Sequence, residues 1–315
     1  MSQRSALVLR GGAIGDFILT LPTLDLLRQS ISGLRLEVMG NRGIVELATA
    51  SGYADAHHYL DTPGMAMLFA PGAPVKPELA EWISSFNLIV SYLFDPDGTL
   101  RTNLEKAGAK TVLDLPHRVI PGQGHAIDQL ARPLERIAML LEPDAAPRIQ
   151  VPGAECRPAA VAPRRIALHP GSGSIHKNWP LPQWQRLGPA LVHQFPGSTL
   201  VLVTGEAELE RGVTQDLTAA WAGQPVEHWD SLPLAELARH LPSCSHFLGH
   251  DSGMSHLAAA CGVPVHSFSA PTDPATWAAR NPASPTQVCT SATASLNDIT
   301  WDAAWESVVR FVGRV

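Results

Sequence analysis

The 315-residue chain is poor in cysteine. Cys156, Cys244, Cys261 and Cys289 are scattered, with no Cys-x-x-Cys pair among them. That spacing excludes a disulfide framework and a ribbon-type zinc site, and it fits free thiols in a reducing compartment. No apolar run approaches the roughly 18 residues a bilayer-spanning helix needs. The N-terminus also lacks the basic-then-apolar pattern of a secretory signal, so the expected location is the cytoplasm. Excess positive charge is missing too. Charged residues make up 17% of the chain and the formal net charge is −6. Up to Gln150 there are 13 basic against 16 acidic residues, and after it 10 against 13, so each half carries −3. A nucleic-acid partner is therefore not expected, and an anionic ligand must be met by local geometry rather than by an overall field.

What remains is a chain that is 45% apolar, long for one core and sufficient for two. ALVLR, LRLEVMG and NLIVSYLF read as buried strands. They alternate with the helical patterns FILTLPTLDLLRQ, GIVELATAS and AIDQLARPLERIAMLL. A Pro/Ala-rich stretch without apolar period follows, and the alternation then restarts. The strands RIALHPG, STLVLVTG, HFLGH and VPVHSFS are interleaved with the helices WPLPQWQRLGPALVHQF, LAELARHL and GMSHLAAACG. Strands separated by helices predict parallel sheets. The expected organisation is an N-terminal domain over residues 1–150, a linker over 151–164, a second domain over 165–300 and a C-terminal helix over 301–315. Both domains should be doubly wound, Rossmann-like α/β units facing an interdomain cleft.

Three loops carry chemistry. In GGAIGD the glycines Gly11, Gly12 and Gly15 follow a strand, but Asp16 occupies the place of the third glycine in a dinucleotide fingerprint. A carboxylate there already occupies the positive end of the helix, which argues against a pyrophosphate. Asp16 reads either as a helix N-cap or as a general base to which the glycines admit a substrate hydroxyl. HPGSGSIHK reads either as an ordinary turn with a surface lysine or as a diphosphate cradle made by the backbone from Gly171 to Ser174, the hydroxyls of Ser172 and Ser174, and the Lys177 ammonium. In HDSGMSH, Asp251 and Ser252 open a small-residue helix whose N-terminus suits a phosphate, with Asp251 as a simple N-cap the plainer reading.

Other patterns are set aside. Asp95-Pro96-Asp97-Gly98 reads as a turn rather than a metal motif. Cys244, His246, His250, Asp251 and His256 match no zinc spacing, so no metal is expected. No Gly-x-Ser-x-Gly motif supports a serine hydrolase.

Three segments together, RGGAIGDFILTLPTLDLLR, HPGSGSIHKNWPLPQWQRL and LGHDSGMSHLAAACGVPVHSFSAPTDP, resemble glycosyltransferase family 9, the ADP-heptose:lipopolysaccharide heptosyltransferases. The resemblance implies a GT-B fold, with acceptor bound by the first domain and nucleotide-sugar by the second. It implies Asp16 as catalytic base and Gly11, Gly12 and Gly15 as the acceptor-side loop. It implies donor contacts from Ser172, Gly173, Ser174, Lys177, Asp251, Ser252, Gly253 and His256, with Glu206 and Leu232 toward ribose and adenine. The C-terminal helix would cross back to the first domain. The implied reaction is metal-independent and inverting. It moves heptose from ADP-heptose, a donor substrate, to a sugar hydroxyl of inner-core lipopolysaccharide or a related glycolipid, with no cofactor. A glycolipid acceptor would place the protein peripherally at the inner membrane. The alternatives are another nucleotide-sugar or acceptor, a nucleotide-sugar epimerase, or a non-catalytic nucleotide-sugar binder. Ser252 stands where the family commonly has threonine. The first domain has no basic cluster for an anionic acceptor, leaving single arginines such as Arg10, Arg42, Arg101 and Arg118.

Overall fold

A computed structural model describes residues 3–154, 164–270, 272–281 and 284–314. Residues 155–163 of the expected linker, with Cys156, lie outside the described residues. The chain divides into two compact units, with the division after Ala145 rather than at Gln150. Ile149 and Val151 are buried in the second unit, where the Ile149 amide donates to Ala260 O at 2.8 Å.

The first unit holds five parallel strands: β1 (Ser5–Arg10), β2 (Arg35–Gly40), β3 (Ala56–Tyr59), β4 (Leu88–Ser91) and β5 (Val112–Asp114). Their order is β3-β2-β1-β4-β5. Val8 of β1 pairs with Val38 on one side and Val90 on the other. All six residues of β1 are buried, as a strand covered by helices on both faces requires. The helix Ile14–Ser30 starts three residues before the predicted Phe17. GIVELATAS is helical only over Glu46–Ala50. The long helix expected from Ala126 ends at Ala131 and tightens into a 3₁₀ segment, Arg132–Ile137. Pro133 cannot donate the next helical bond, and Ala138 at φ 59° closes the turn.

The second unit holds β6 (Arg165–Leu168), β7 (Thr199–Thr204), β8 (Val226–Asp230), β9 (His246–His250), β10 (Val265–Ser269) and β11 (Thr286–Thr290). These are also all parallel, in the order β11-β10-β9-β6-β7-β8. Counted from its own first strand, the unit has the doubly wound order in which chain direction reverses between the first and fourth strands. Its core packs Trp179, Trp184 and Trp221 with Leu168, Leu202 and Phe268. The helix Trp301–Val312 buries Ala304, Val308, Phe311 and Val312 in the same core.

The reversal decides where a ligand can enter. Connections leave neighbouring central strands in opposite directions there, opening a crevice at the strands' carboxyl ends. In the first unit that point lies between β1 and β4, and β1 runs into the Gly11–Asp16 loop. In the second it lies between β6 and β9, which run into the His169–Lys177 loop and into Asp251–Ser252.

Candidate active site

In the first unit, Asp16 is not the N-cap of its helix; Ala13 is. Asp16 is the third helical residue, and its Oδ2 accepts the Ala13 amide at 3.0 Å. This is the carboxylate half of a capping box. Gly12, at φ +96°, passes so close to the carboxylate that a Cβ there would lie 2.9 Å from Oδ2. Arg10, at the end of β1, lies beneath. Its guanidinium donates through Nε and Nη2 to Asp16 O at 3.3 and 3.1 Å, and Nη2 lies 3.7 Å from Asp16 Oδ1. Its carbon Cζ lies 5.2 Å from the centre of the Tyr92 ring. Arg10 is 4% exposed and Asp16 38%. Burial pulls the Arg10 pKa below its ordinary value, against the opposing pull of Asp16. The guanidinium still stays charged. Asp16 is thus an exposed carboxylate whose backbone is held from below by a buried cation.

The sequence offered Arg10, Arg42, Arg101 and Arg118 as single arginines for an anionic ligand, and two of these, Arg10 and Arg101, are engaged within the unit. Arg10 is buried on Asp16, and Arg101 bonds Asp114 and Glu105. Asp95 accepts the Leu100 and Arg101 amides at 3.0 and 2.9 Å, so the Asp-Pro-Asp turn caps a helix.

In the second unit, the helix Gly253–Ala260 is capped by Ser252, not Asp251, and no side chain bonds its first amides. Ser252 Oγ is buried without a hydrogen-bond partner. Lys177 Nζ stands 3.7 Å from Asp251 Oδ2, joining the two loops that leave β6 and β9. A helix N-terminus, an unpartnered buried hydroxyl and an ammonium group therefore lie on neighbouring residues, with the Asp251 carboxylate beside the ammonium; the N-terminus and the ammonium are groups that suit an oxyanion. Gly253 is the first helical residue, and His256 is buried on the same helix.

Ser172 has a different task from the one its sequence context suggests. It is buried, with Oγ 2.6 Å from Asn178 Oδ1 and 2.7 Å from Ser174 O. Its hydroxyl folds the loop instead of projecting from it. Gly173 is exposed and Ser174 half-buried. Glu206 is exposed at the start of a helix after β7, and Leu232 is half-buried after β8. Both stand on the same carboxyl edge, one and two strands beyond β6.

The residue that organises the loop is His250, which the sequence raised only as a zinc ligand. Its Nδ1 lies 3.0 Å from Gly171 O, and its Nε2 accepts the Trp179 amide at 2.8 Å. One neutral imidazole, protonated on Nδ1, thereby ties both ends of the loop to the end of β9. Burial pushes its pKa down to about 3. Gly171 packs against the buried Glu208, where a Cβ would lie 1.9 Å from Oε1. Glu208 Oε2 accepts the Gly205 amide at 2.8 Å, which fixes that carboxylate. A histidine preceding an Asp-Ser-Gly turn was the signal for the first contact; nothing in sequence spacing signals the second.

A family model described as glycosyltransferase family 9 (heptosyltransferase) matches residues 140–299, about half of the chain, including the loops after β6 and β9. The chain belongs to glycosyltransferase family 9. The glycosyltransferase has the fold of solved relatives. A family 9 glycosyl transferase from Veillonella parvula matches with a TM-score of 0.79 at 16% identity, over 100% of this chain and 99% of that one. The ADP-heptose lps heptosyltransferase II of E. coli matches with 0.75 at 15% identity, over 98% and 99%. E. coli heptosyltransferase WaaC with ADP matches with 0.71 at 18% identity, over 97% and 99%. No curated protein sequence matches the glycosyltransferase. Among its described residues, no helix is long and apolar enough to cross a membrane. No three His, Cys, Asp or Glu side chains among them are grouped to hold a metal ion.

Proposed function

We propose that this glycosyltransferase moves heptose from ADP-heptose to a sugar hydroxyl of inner-core lipopolysaccharide or a related glycolipid, with inversion at the anomeric carbon and without a metal or cofactor. The observation that carries the donor assignment is the placing of the unpartnered Ser252 Oγ, the N-terminus of helix Gly253–Ala260 and Lys177 on the two loops at the reversal point of the second sheet. The diphosphate lies on the amides of that helix, with Lys177 turning from Asp251 toward a phosphate oxygen. Glu206 and Leu232 take the ribose and adenine ends along the same edge.

Asp16 is the base. It removes the proton from the acceptor hydroxyl while that oxygen attacks the anomeric carbon from the face opposite the leaving ADP. The bond from the anomeric carbon to the diphosphate breaks in the same step, and the negative charge growing on ADP is met by Lys177 and the helix amides. Arg10 hydrogen-bonds the base's backbone carbonyl and the Ala13 amide takes Oδ2, so Oδ1, which is 3.7 Å from Arg10 Nη2, is the oxygen that takes the hydroxyl proton. The ADP-heptose lps heptosyltransferase II of E. coli shares the fold, and this supports the choice of sugar. A glycolipid acceptor favours a cytoplasmic protein working at the inner membrane face.

The test is turnover of ADP-heptose with two glycolipid acceptors, one ending in a carboxylated sugar and one in an uncharged sugar, beside a thermal-shift panel of ADP and UDP. ADP should stabilise the protein and UDP should not. Asp16→Asn should lower kcat by about 10²–10⁴-fold, the usual weight of a general base, with ADP affinity kept. Wild-type kcat in a folded Asp16→Asn protein refutes the base, and a preference for UDP refutes the donor. Isomerised nucleotide-sugar formed without acceptor would point to an epimerase. ADP binding without any turnover would point to a binding protein.

A further inference from the structure

Arg42 and Asp61 follow β2 and β3, and each is more than half exposed, at 59% and 60%. Arg42 Nε lies 3.4 Å from Asp61 Oδ2, and the guanidinium lies over the Tyr59 ring at 3.8 Å. Two contacts put this pair on the rim that carries Asp16. Asn41, next to Arg42, donates Nδ2 to Gly12 O at 2.8 Å. Leu60, next to Asp61, packs on Gly11, where a Cβ would lie 3.7 Å from its Cδ1.

Three arginines of the first unit stand beside carboxylates: the buried Arg10 against Asp16, the exposed Arg42 against Asp61, and Arg101 between Asp114 and Glu105. A phosphorylated or carboxylated sugar reaching Arg42 would meet the Asp61 carboxylate beside the guanidinium. Uncharged hydroxyls fit better: the guanidinium donates to one, and the carboxylate accepts from its neighbour. An exposed ion pair is worth so little in water that hydroxyls can enter it at small cost.

Behind Tyr59 the first unit has a cavity of 490 Å³ lined by His57, His58, Met65, Leu79 and Trp82, a volume in the range of small-molecule sites. His58 Nε2 lies 2.7 Å from the buried Glu37, and the His58 and Trp82 rings meet edge to face at 4.8 Å. These rings are held in place and offer apolar faces, which suit the C–H face of a pyranose. We propose that the Arg42–Asp61 pair and this cavity form an acceptor subsite for an uncharged sugar, continuous along the rim with Asp16. The proposal rests on the reading of Asp16 as the acceptor's base.

The experiment is steady-state transfer from ADP-heptose, at low ionic strength, to octyl heptopyranoside and to its 4-phosphate. The uncharged glycoside should have the lower KM, by about two- to fivefold, the weight of roughly one exposed charge contact. Asp61→Asn, an exposed and nearly isosteric change, frees Arg42 and should abolish or reverse that preference while ADP affinity holds. Trp82→Phe should keep the KM for the uncharged glycoside near wild type, and Trp82→Ala should raise it with kcat little changed. A wild-type preference for the phosphate, or a preference unmoved in Asp61→Asn, overturns the proposal. If neither glycoside turns over, saturation-transfer NMR with the same two decides. Contact to the sugar ring that is lost in Trp82→Ala supports the subsite, and contact to the octyl chain alone overturns it. Unchanged kcat in Asp16→Asn with the KM pattern intact would sink the base and leave the subsite standing.

Discussion

Acid should weaken the second unit well before its carboxylates titrate. His246, His250 and His266 are fully buried, and burial pushes their pKa values down to about 4, 3 and 3. In the unfolded chain each returns to about 6.5. The folded unit therefore binds fewer protons than the unfolded one below that value. This contribution to stability is complete above pH 6.5 and is lost as pH falls toward 4 and 3. At pH 5 the unfolded imidazoles are about 1.5 units below their pKa, so each withdraws about 2 kcal/mol relative to pH 8. Three such groups consume much of a typical stability of about 5–15 kcal/mol. The assay is urea unfolding followed by tryptophan fluorescence, since Trp179, Trp184 and Trp221 lie in this unit's core. The midpoint should fall steeply between pH 6.5 and 5, above the range in which carboxylates respond. His246→Leu isolates one term. His246 Nε2 has no partner, and Ser245 Oγ still donates to Arg165 O at 2.9 Å without the ring. The variant should match wild type or exceed it at pH 8 and gain about 2 kcal/mol on it at pH 5. A flat midpoint from pH 7.5 to 5, or an equal effect of His246→Leu at both pH values, refutes the reasoning.

Three further outcomes are expected. Gly171→Ala forces a methyl group into Glu208, whose carboxylate is fixed, so the loop must shift; ADP affinity by calorimetry should drop at least about tenfold with a smaller change in melting temperature. His250→Phe leaves Gly171 O and the Trp179 amide unpaired, at about 1–3 kcal/mol each; ADP binding should weaken, and His250→Gln, which can both donate and accept, should recover part of it. Gly188→Ala puts a Cβ 2.4 Å from the buried Trp221 ring, and should destabilise the unit by about 1–3 kcal/mol in denaturant titration without altering ADP affinity per folded molecule.

The legibility of the fold from sequence follows burial. Every strand read correctly, β1, β2, β4, β6, β7, β9 and β10, is interior to its sheet, and all but two of them are near-continuous apolar runs; HFLGH and VHSFS bury histidine and serine in the same interior position. The strands without such a signal, AHHY, VLD, VEHWD and TQVCT, are the four sheet edges. With one flank open, they carry histidine, aspartate and glutamine, and no apolar period marks them. The site divides in a similar way. The candidate loops at Gly11–Asp16, His169–Lys177 and Asp251–Ser252 stood out in the sequence because glycine and a charged residue follow a strand in each, and each does lie at the carboxyl end of a central strand. The supports beneath them did not stand out. Arg10 reads as a surface arginine until β1 is seen to be buried throughout. Ser172 reads as a ligand hydroxyl until Asn178 is found beside it. The capping of Asp16 from the third helical position depends on where its helix begins, the least certain feature of any sequence pattern.

The strand order of the second unit also dictates when its ligand site can exist during synthesis. β6 and β9 are neighbours, with Ser245 Oγ donating to Arg165 O across 80 residues of chain. A ribosome that has released β6, β7 and β8 has produced half a sheet with its central edge unfilled and His250 not yet made. Contacts of such long sequence separation close late, because the intervening loop must be ordered before they form. Completion of this loop framework is thus deferred until the chain is made past β9, and nascent chains stopped before His250 would carry the Gly171–Lys177 loop without the ring that holds its shape.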